Sequence, residues 1–243
     1  MPYLSRSRIE EIATRVIDAY KVLPVLAGRP VERIEPTVLA QDLLGLTVGH
    51  YHLSGDRSVL GLTTYCEIGV EVQDDRRGVF FYDLDGRTIL VEQDLLEDEA
   101  RRGRYNFTLM HEIGHQLLGR IFPEVYRAPR YRLLCLRNDE HDWDWNEWRA
   151  NALASALLMP EGLVRRAMEQ AGLGAHLEMV NRVFRPAEYR KFEEMAALLG
   201  VSKKALAIRM RRLGLLDSEY LENPYALVDI VMEDEEECPG QSA

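Results

Sequence analysis

The chain has 243 residues, is 47% hydrophobic and carries a formal charge of −10, enough apolar material for one large domain, or one domain and a small appendage, with a sizeable core. The acidic balance disfavours general attraction to nucleic acid, no apolar run approaches the roughly 18 residues that span a bilayer, and Met1-Pro2-Tyr3-Leu4-Ser5-Arg6 lacks the apolar stretch of a secretion signal, so a cytoplasmic location is expected. Cys66, Cys135 and Cys238 are odd in number, far apart and without CxxC spacing, which argues against a disulfide framework or a thiolate zinc cluster.

At the N-terminus, Ser5 or Ser7 can cap a helix whose apolar positions Ile9, Ile12, Ala13, Val16, Ile17 and Tyr20 follow helical spacing. Pro24 and Gly28-Arg29-Pro30 end it. Pro36 suits the first position of a short second helix that closes at Gly45. From 46 to 92 the pattern changes to short β-branched or aromatic runs: 46–53, 59–65, 68–72, 78–82 and 88–91, separated by turn residues at Ser54-Gly55-Asp56, Asp74-Asp75 and Asp85-Gly86. They predict a small, mostly antiparallel sheet. His50 and His52 share a strand face and could in principle pair on a metal, although nothing nearby in sequence completes such a site.

An acidic segment, Glu92 to Arg104, leads into His111-Glu112-Ile113-Gly114-His115, an HExxH motif on an apolar-periodic helix. Positions 111 and 115 lie one turn apart on one face, so both imidazoles can reach one metal ion. Glu112 sits about 100° away, poorly placed as a ligand and well placed to take the proton of an activated water. Gly119 offers a helix stop. Gly114 costs about 1 kcal/mol relative to Ala inside a helix, a cost that makes sense if something approaches the backbone closely there.

Two histidines leave a catalytic metal site one protein ligand short. A second helix from about Asn146 to Met159, stopped by Pro160, opens with Glu147 and continues through small residues that favour close packing. Glu147 is the best third ligand, although a carboxylate in a first turn is also what the helix dipole favours. Asn151, four residues on, lies on the same face and can accept a hydrogen bond from a ligand imidazole. Asp139, Glu140, His141, Asp142 and Asp144 are rivals whose ordinary reading is a solvated acidic turn. His176 has no constellation.

Further along, Phe192–Gly200 and Ser202–Leu213 read as helix, tight turn and capped second helix. The second helix carries Lys203, Lys204, Arg209, Arg211 and Arg212, so contact with DNA is conceivable. Packing of Leu206, Met210 and Leu213 onto the rest of the chain is favoured, since one such pair without dimerisation makes few phosphate contacts. The run Glu233-Asp234-Glu235-Glu236-Glu237 reads as a solvated tail.

HExxH at 111–115, Glu147-Trp148-Arg149-Ala150-Asn151 and Leu157-Leu158-Met159-Pro160 together resemble the ImmA/IrrE family of bacterial metallopeptidases, over residues 8 to 216 or so. The resemblance implies an α+β, minimal zincin-like domain over residues 5–185, with Thr88–Val91 expected as the sheet edge that aligns an extended substrate beside the cleft; the helix-turn-helix-like segment then spans 186–216 and the acidic tail 217–243. It implies His111, His115 and Glu147 as ligands of zinc, with manganese also able to use the set, and Glu112 as the catalytic residue. It further implies an endopeptidase whose partner is a helix-turn-helix repressor, cleaved to relieve repression. The alternative is a non-enzymatic DNA-binding regulator with a structural metal. Where many relatives carry a second acid this chain has Arg149, and its Arg120–Asn146 connection, with Tyr126, Arg127, Arg130, Tyr131 and Arg132, is long.

Overall fold

The computed structural model describes residues 4–97, 101–126 and 145–228. Helix α1 (Arg6–Lys21) starts at Ser5, whose hydroxyl accepts from Arg8 N, and buries Ile9, Ile12, Ala13, Ile17 and Tyr20 along one face. A short α2 (Pro36–Val38) runs into a π-helical turn, Leu39–Leu43, and ends at Gly45 with φ +62°. Strands β1 (Thr47–Tyr51), β2 (Gly61–Thr63), β3 (Glu67–Asp74), β4 (Gly78–Asp85) and β5 (Thr88–Glu92) follow, then helices α3 (Asp94–Glu97), α4 (Arg102–Ile121), α5 (Pro123–Tyr126), α6 (Trp145–Leu158) and α7 (Glu161–Gln170). The remaining elements are β6 (Leu177–Val180), α8 (Pro186–Leu199), α9 (Lys203–Arg212) and β7 (Leu216–Glu219).

The chain is mixed α and β, but the strands of 46–92, expected as one mostly antiparallel sheet, form two small ones, and a third lies further along the chain. In the first, β5 is central, parallel to β1 and antiparallel to β2. Strands β3 and β4 form an antiparallel hairpin, and β6 pairs parallel with β7. The strand expected at the edge is therefore the middle one: every residue of β5 is buried. Its unbroken Ile89-Leu90-Val91 run is what a strand covered on both faces requires, whereas alternation marks a strand with one wet face. The edge that faces α4 is β2, which has β5 on one side and no other strand among the described residues.

Helices α1, α4, α6, α8 and α9 share one buried cluster with the first sheet. Helix α6 lies between α4 and α1, and Ala150, Leu153, Ala154, Ala156, Leu157 and Leu158 are all essentially inaccessible, the pattern of a helix surrounded by others. Two side chains lock α4 in place. Gln116 donates to Thr63 Oγ1 at 2.7 Å and to Thr64 O at 2.8 Å, fixing α4 to β2. Asn106 donates to Gly200 O at 2.8 Å, fixing α4 to the turn between α8 and α9. That turn has Gly200 at φ +66° and Ser202 accepting from Ala205 N. Gly119 does not stop α4, which runs two residues further, and it is buried against the Tyr65 ring.

A candidate metal centre between two helices

Helix geometry places His111 and His115 one turn apart, and their Nε2 atoms come within 3.0 Å of each other. Glu147, in the first turn of α6, puts one carboxylate oxygen 3.1 Å from each imidazole Nε2. Three side chains thus converge from two helices: the two Nε2 atoms are 3.0 Å apart, and each is 3.1 Å from its own oxygen of Glu147. Donors about 2.0–2.1 Å from a tetrahedral zinc stand about 3.3 Å apart, so the set fits such an ion with little adjustment. His111 Nδ1–H donates to Asn151 Oδ1 at 3.1 Å, which selects the tautomer that leaves Nε2 free as a ligand. The Nδ1 of His115 is buried without a partner among the described residues.

The approach of α6 depends on Gly114. A Cβ there would lie 3.1 Å from the Ala150 carbonyl oxygen, so the helix-weakening glycine answers to a helix crossing, and through it to the reach of Glu147. Tyr65 adds a brace by donating its hydroxyl to the His115 carbonyl at 2.8 Å.

Glu112 is 4% exposed, and its Oε2 has no hydrogen-bond partner among the described residues. It packs on the β2 edge strand, where a Cβ on Gly61 would stand 2.6 Å from Glu112 Oε1 and 2.9 Å from its Cγ. Only glycine leaves that room. Burial pushes the Glu112 carboxyl above the ordinary carboxylate range, against the opposing charges of His111 and His115. Glu147 goes the other way: burial would raise it, but hydrogen bonds from His111 and His115 and their charges hold it well below that range. For His111, burial opposes the charged form, and Glu147 and Glu112 outweigh it to raise the pKa. The centre therefore holds one carboxylate kept ionised by its partners and one poised to hold a proton.

The other histidines go elsewhere. His50 meets the Tyr105 hydroxyl at 3.0 Å, and burial lowers its pKa. His52 faces Glu92 at 2.7 Å and Asp75 at 3.1 Å, so the two strand histidines do not converge on one ion. Sequence reading missed that His52, Glu92 and Asp94 gather their donor atoms within 4.8 Å, because these residues meet only through strand order. Arg57 sits among them, 3.1 Å from Glu92 Oε1. His176 pairs with exposed Asp217 at 3.0 Å. The rival ligands at 139–142 and 144, the arginines at 127, 130 and 132, Tyr131, Cys135, Cys238 and the acidic run lie outside the described residues.

Residues 95–211 match the Peptidase_M78 family, the IrrE N-terminal-like domain. Over this segment the chain is similar to the IrrE N-terminal-like peptidases, which supports an ImmA/IrrE-type metallopeptidase. The match runs from α3 to the last turn of α9, so it takes in both helices of the candidate centre. None of the curated proteins matches the chain. The family matched over this segment implies a metal ion, and the donor set of His111, His115 and Glu147 suits one. Among the described residues no helix is long and apolar enough to cross a membrane.

Proposed function

We propose that the protein is a zinc-dependent endopeptidase with a zincin-like domain, acting in the cytoplasm on a helix-turn-helix repressor. The observation that carries the peptidase reading is the convergence of His111, His115 and Glu147 within 3.1 Å beside the buried carboxylate of Glu112, whose Oε2 has no hydrogen-bond partner among the described residues. Zinc, when bound by those three side chains, supplies Lewis acidity to a scissile carbonyl and to water. Two His and one carboxylate suit zinc, and manganese can use the same set.

In this reading Glu112 takes the proton of the attacking water on Oε2 and returns it to the leaving amine. Burial favours its protonated form, so it can hold that proton between the two steps. Asn151 keeps the His111 ring turned, and Gly61 keeps the Glu112 carboxylate in place. An extended substrate adds alongside β2, whose main-chain groups lie next to Glu112. The repressor as substrate rests on the resemblance of the motif set alone.

A DNA-binding regulator acting through residues 192–213 has less support. Lys203 is paired with Glu193, Lys204 with Glu219 and Glu222, and Arg209 is 3% exposed on Glu10 and the Met159 carbonyl. Expressing the wild type and Glu112→Gln side by side and comparing newly formed protein N-termini tests the proposal. A new terminus within a helix-turn-helix regulator, present only with the wild type, is the expected result. Identical termini in both, with metal loaded in both, would contradict it.

A further inference from the structure

Helices α1, α6, α7 and α9 enclose a groove of about 780 Å³ whose lining includes none of the metal-centre residues, a volume within the range of small-ligand sites. It follows α1 from Arg6 to Lys21, and its floor is aliphatic, with Ile9, Ala13, Ile17, Ala156 and Leu163. Its rim is cationic. Six cations, Arg6, Lys21, Arg29, Arg166, Arg209 and Arg212, line it against three acids, Glu10, Asp18 and Glu161. Those acids are spoken for: Asp18 pairs with Lys21 at 3.2 Å, Glu161 with Arg165 at 2.7 Å, and Glu10 holds Arg209 and also faces Arg212. Arg29 makes no ion pair among the described residues, and Arg166 donates to the Val31 carbonyl at 3.3 Å, two residues from Arg29. A positive excess in a chain of net charge −10 favours a small anion that fits the groove over long-range capture of a polyanion.

The apolar character continues outside the groove. Val22 and Val25 are 80% and 53% exposed, and they stand between Lys21 and Arg29 in the loop that follows α1. Exposed aliphatic side chains flanked by cations, at the end of an aliphatic groove, mark a contact surface for a ligand with an apolar body and an anionic head. The lining offers two hydroxyls, Ser7 and Thr14, and no amide side chain, too little polar chemistry to read a base or a sugar. We propose that the groove binds an amphipathic anion, with a linear acyl or alkyl chain lying along α1 and a carboxylate or phosphate head on Arg29 and Arg166. A free acyl anion and a bilayer lipid share that chemistry.

The test needs no peptidase activity, so its failure would leave the peptidase reading untouched. Isothermal titration of the full chain with octanoate, decanoate, dodecanoate and dodecyl phosphate, each kept monomeric, should show one site per chain. Affinity should rise about fourfold for each methylene added, as burial of the chain demands. Inorganic phosphate alone and dodecyltrimethylammonium should bind at least about a hundredfold more weakly than dodecyl phosphate, since each lacks one half of the recognition. Arg29→Gln with Arg166→Gln should weaken dodecanoate about tenfold or more. Arg76→Gln with Arg77→Gln, an exposed cation pair on the turn between β3 and β4, should leave it unchanged. Co-sedimentation with phosphatidylglycerol vesicles, displaced by dodecanoate, would identify the source as a bilayer lipid, and monomer binding without co-sedimentation would identify it as a free acyl anion. No binding, affinity independent of chain length as an acidic peptide or a purely ionic site would give, or equal weakening by the two arginine pairs would overturn the proposal.

Discussion

Glu92 and Glu112 are both buried glutamates beside histidines, and their surroundings are opposite. Glu92 is fully engaged: Oε1 meets His52 Nδ1 at 2.7 Å and Arg57 at 3.1 Å, and Oε2 accepts from Leu53 N at 2.9 Å. Glu112 has an oxygen with no partner among the described residues and a strand glycine against its side chain. A buried carboxylate needs cations and donors to stay ionised. Where the chain supplies them the group ties elements together, here the ends of β1 and β5. Where it withholds them the group keeps chemical capacity at the expense of stability.

The largest effect that would sharpen this contrast is that of Glu112→Gln. Peptidase activity should fall by about 10²–10⁴-fold, the usual contribution of a general base, while thermal stability and bound metal hold. The contrast would break if Glu92→Gln, assayed alongside, lost as much activity per folded molecule. Next comes Glu92→Ala, which strands His52 and Arg57 and should cost about 3 kcal/mol, the range for breaking a buried pair. Denaturant unfolding measures it, and metal content should be unchanged.

Gly61→Ala should lower kcat by about 10²-fold through displacement of Glu112, with metal content again intact. A variant of normal activity would show that β2 does not hold the base. The smallest effect belongs to Lys204→Ala at the exposed pair with Glu219 and Glu222, which should leave the chemical-denaturation midpoint almost unmoved, because solvent screens such pairs. A loss as large as that of Glu92→Ala would mean that surface pairs rival the buried Glu92 cluster.

What the sequence made legible follows range. His111, His115, Glu147 and Asn151 are readable because helical period is local: one face of α4 meets one face of α6. The five strands of 46–92 were readable from their β-branched and aromatic runs and the turns between them. Strand order was not. Whether β5 lies at the centre or the edge depends on β1, 41 residues upstream in the register Thr47↔Thr88. For the same reason Glu92 gave no sign of its partner His52, 40 positions away. Arg209 reads as part of a basic helix face, yet it is buried on Glu10, 199 positions away, because α9 packs against α6 and the start of the chain. Helix α7 and the β6/β7 pair were missed outright, their elements being short and their pairing non-local.

The central claim is that one metal ion is held by His111, His115 and Glu147 and not by the second cluster among the described residues, His52, Glu92 and Asp94. Metal content of the purified full chain, measured by mass spectrometry beside Glu147→Ala and His52→Ala prepared identically, tests it most directly. The account predicts about one zinc per chain in the wild type, a large loss in Glu147→Ala and none in His52→Ala. Metal retained in Glu147→Ala and lost in His52→Ala would move the site to the Glu92 cluster and contradict the account.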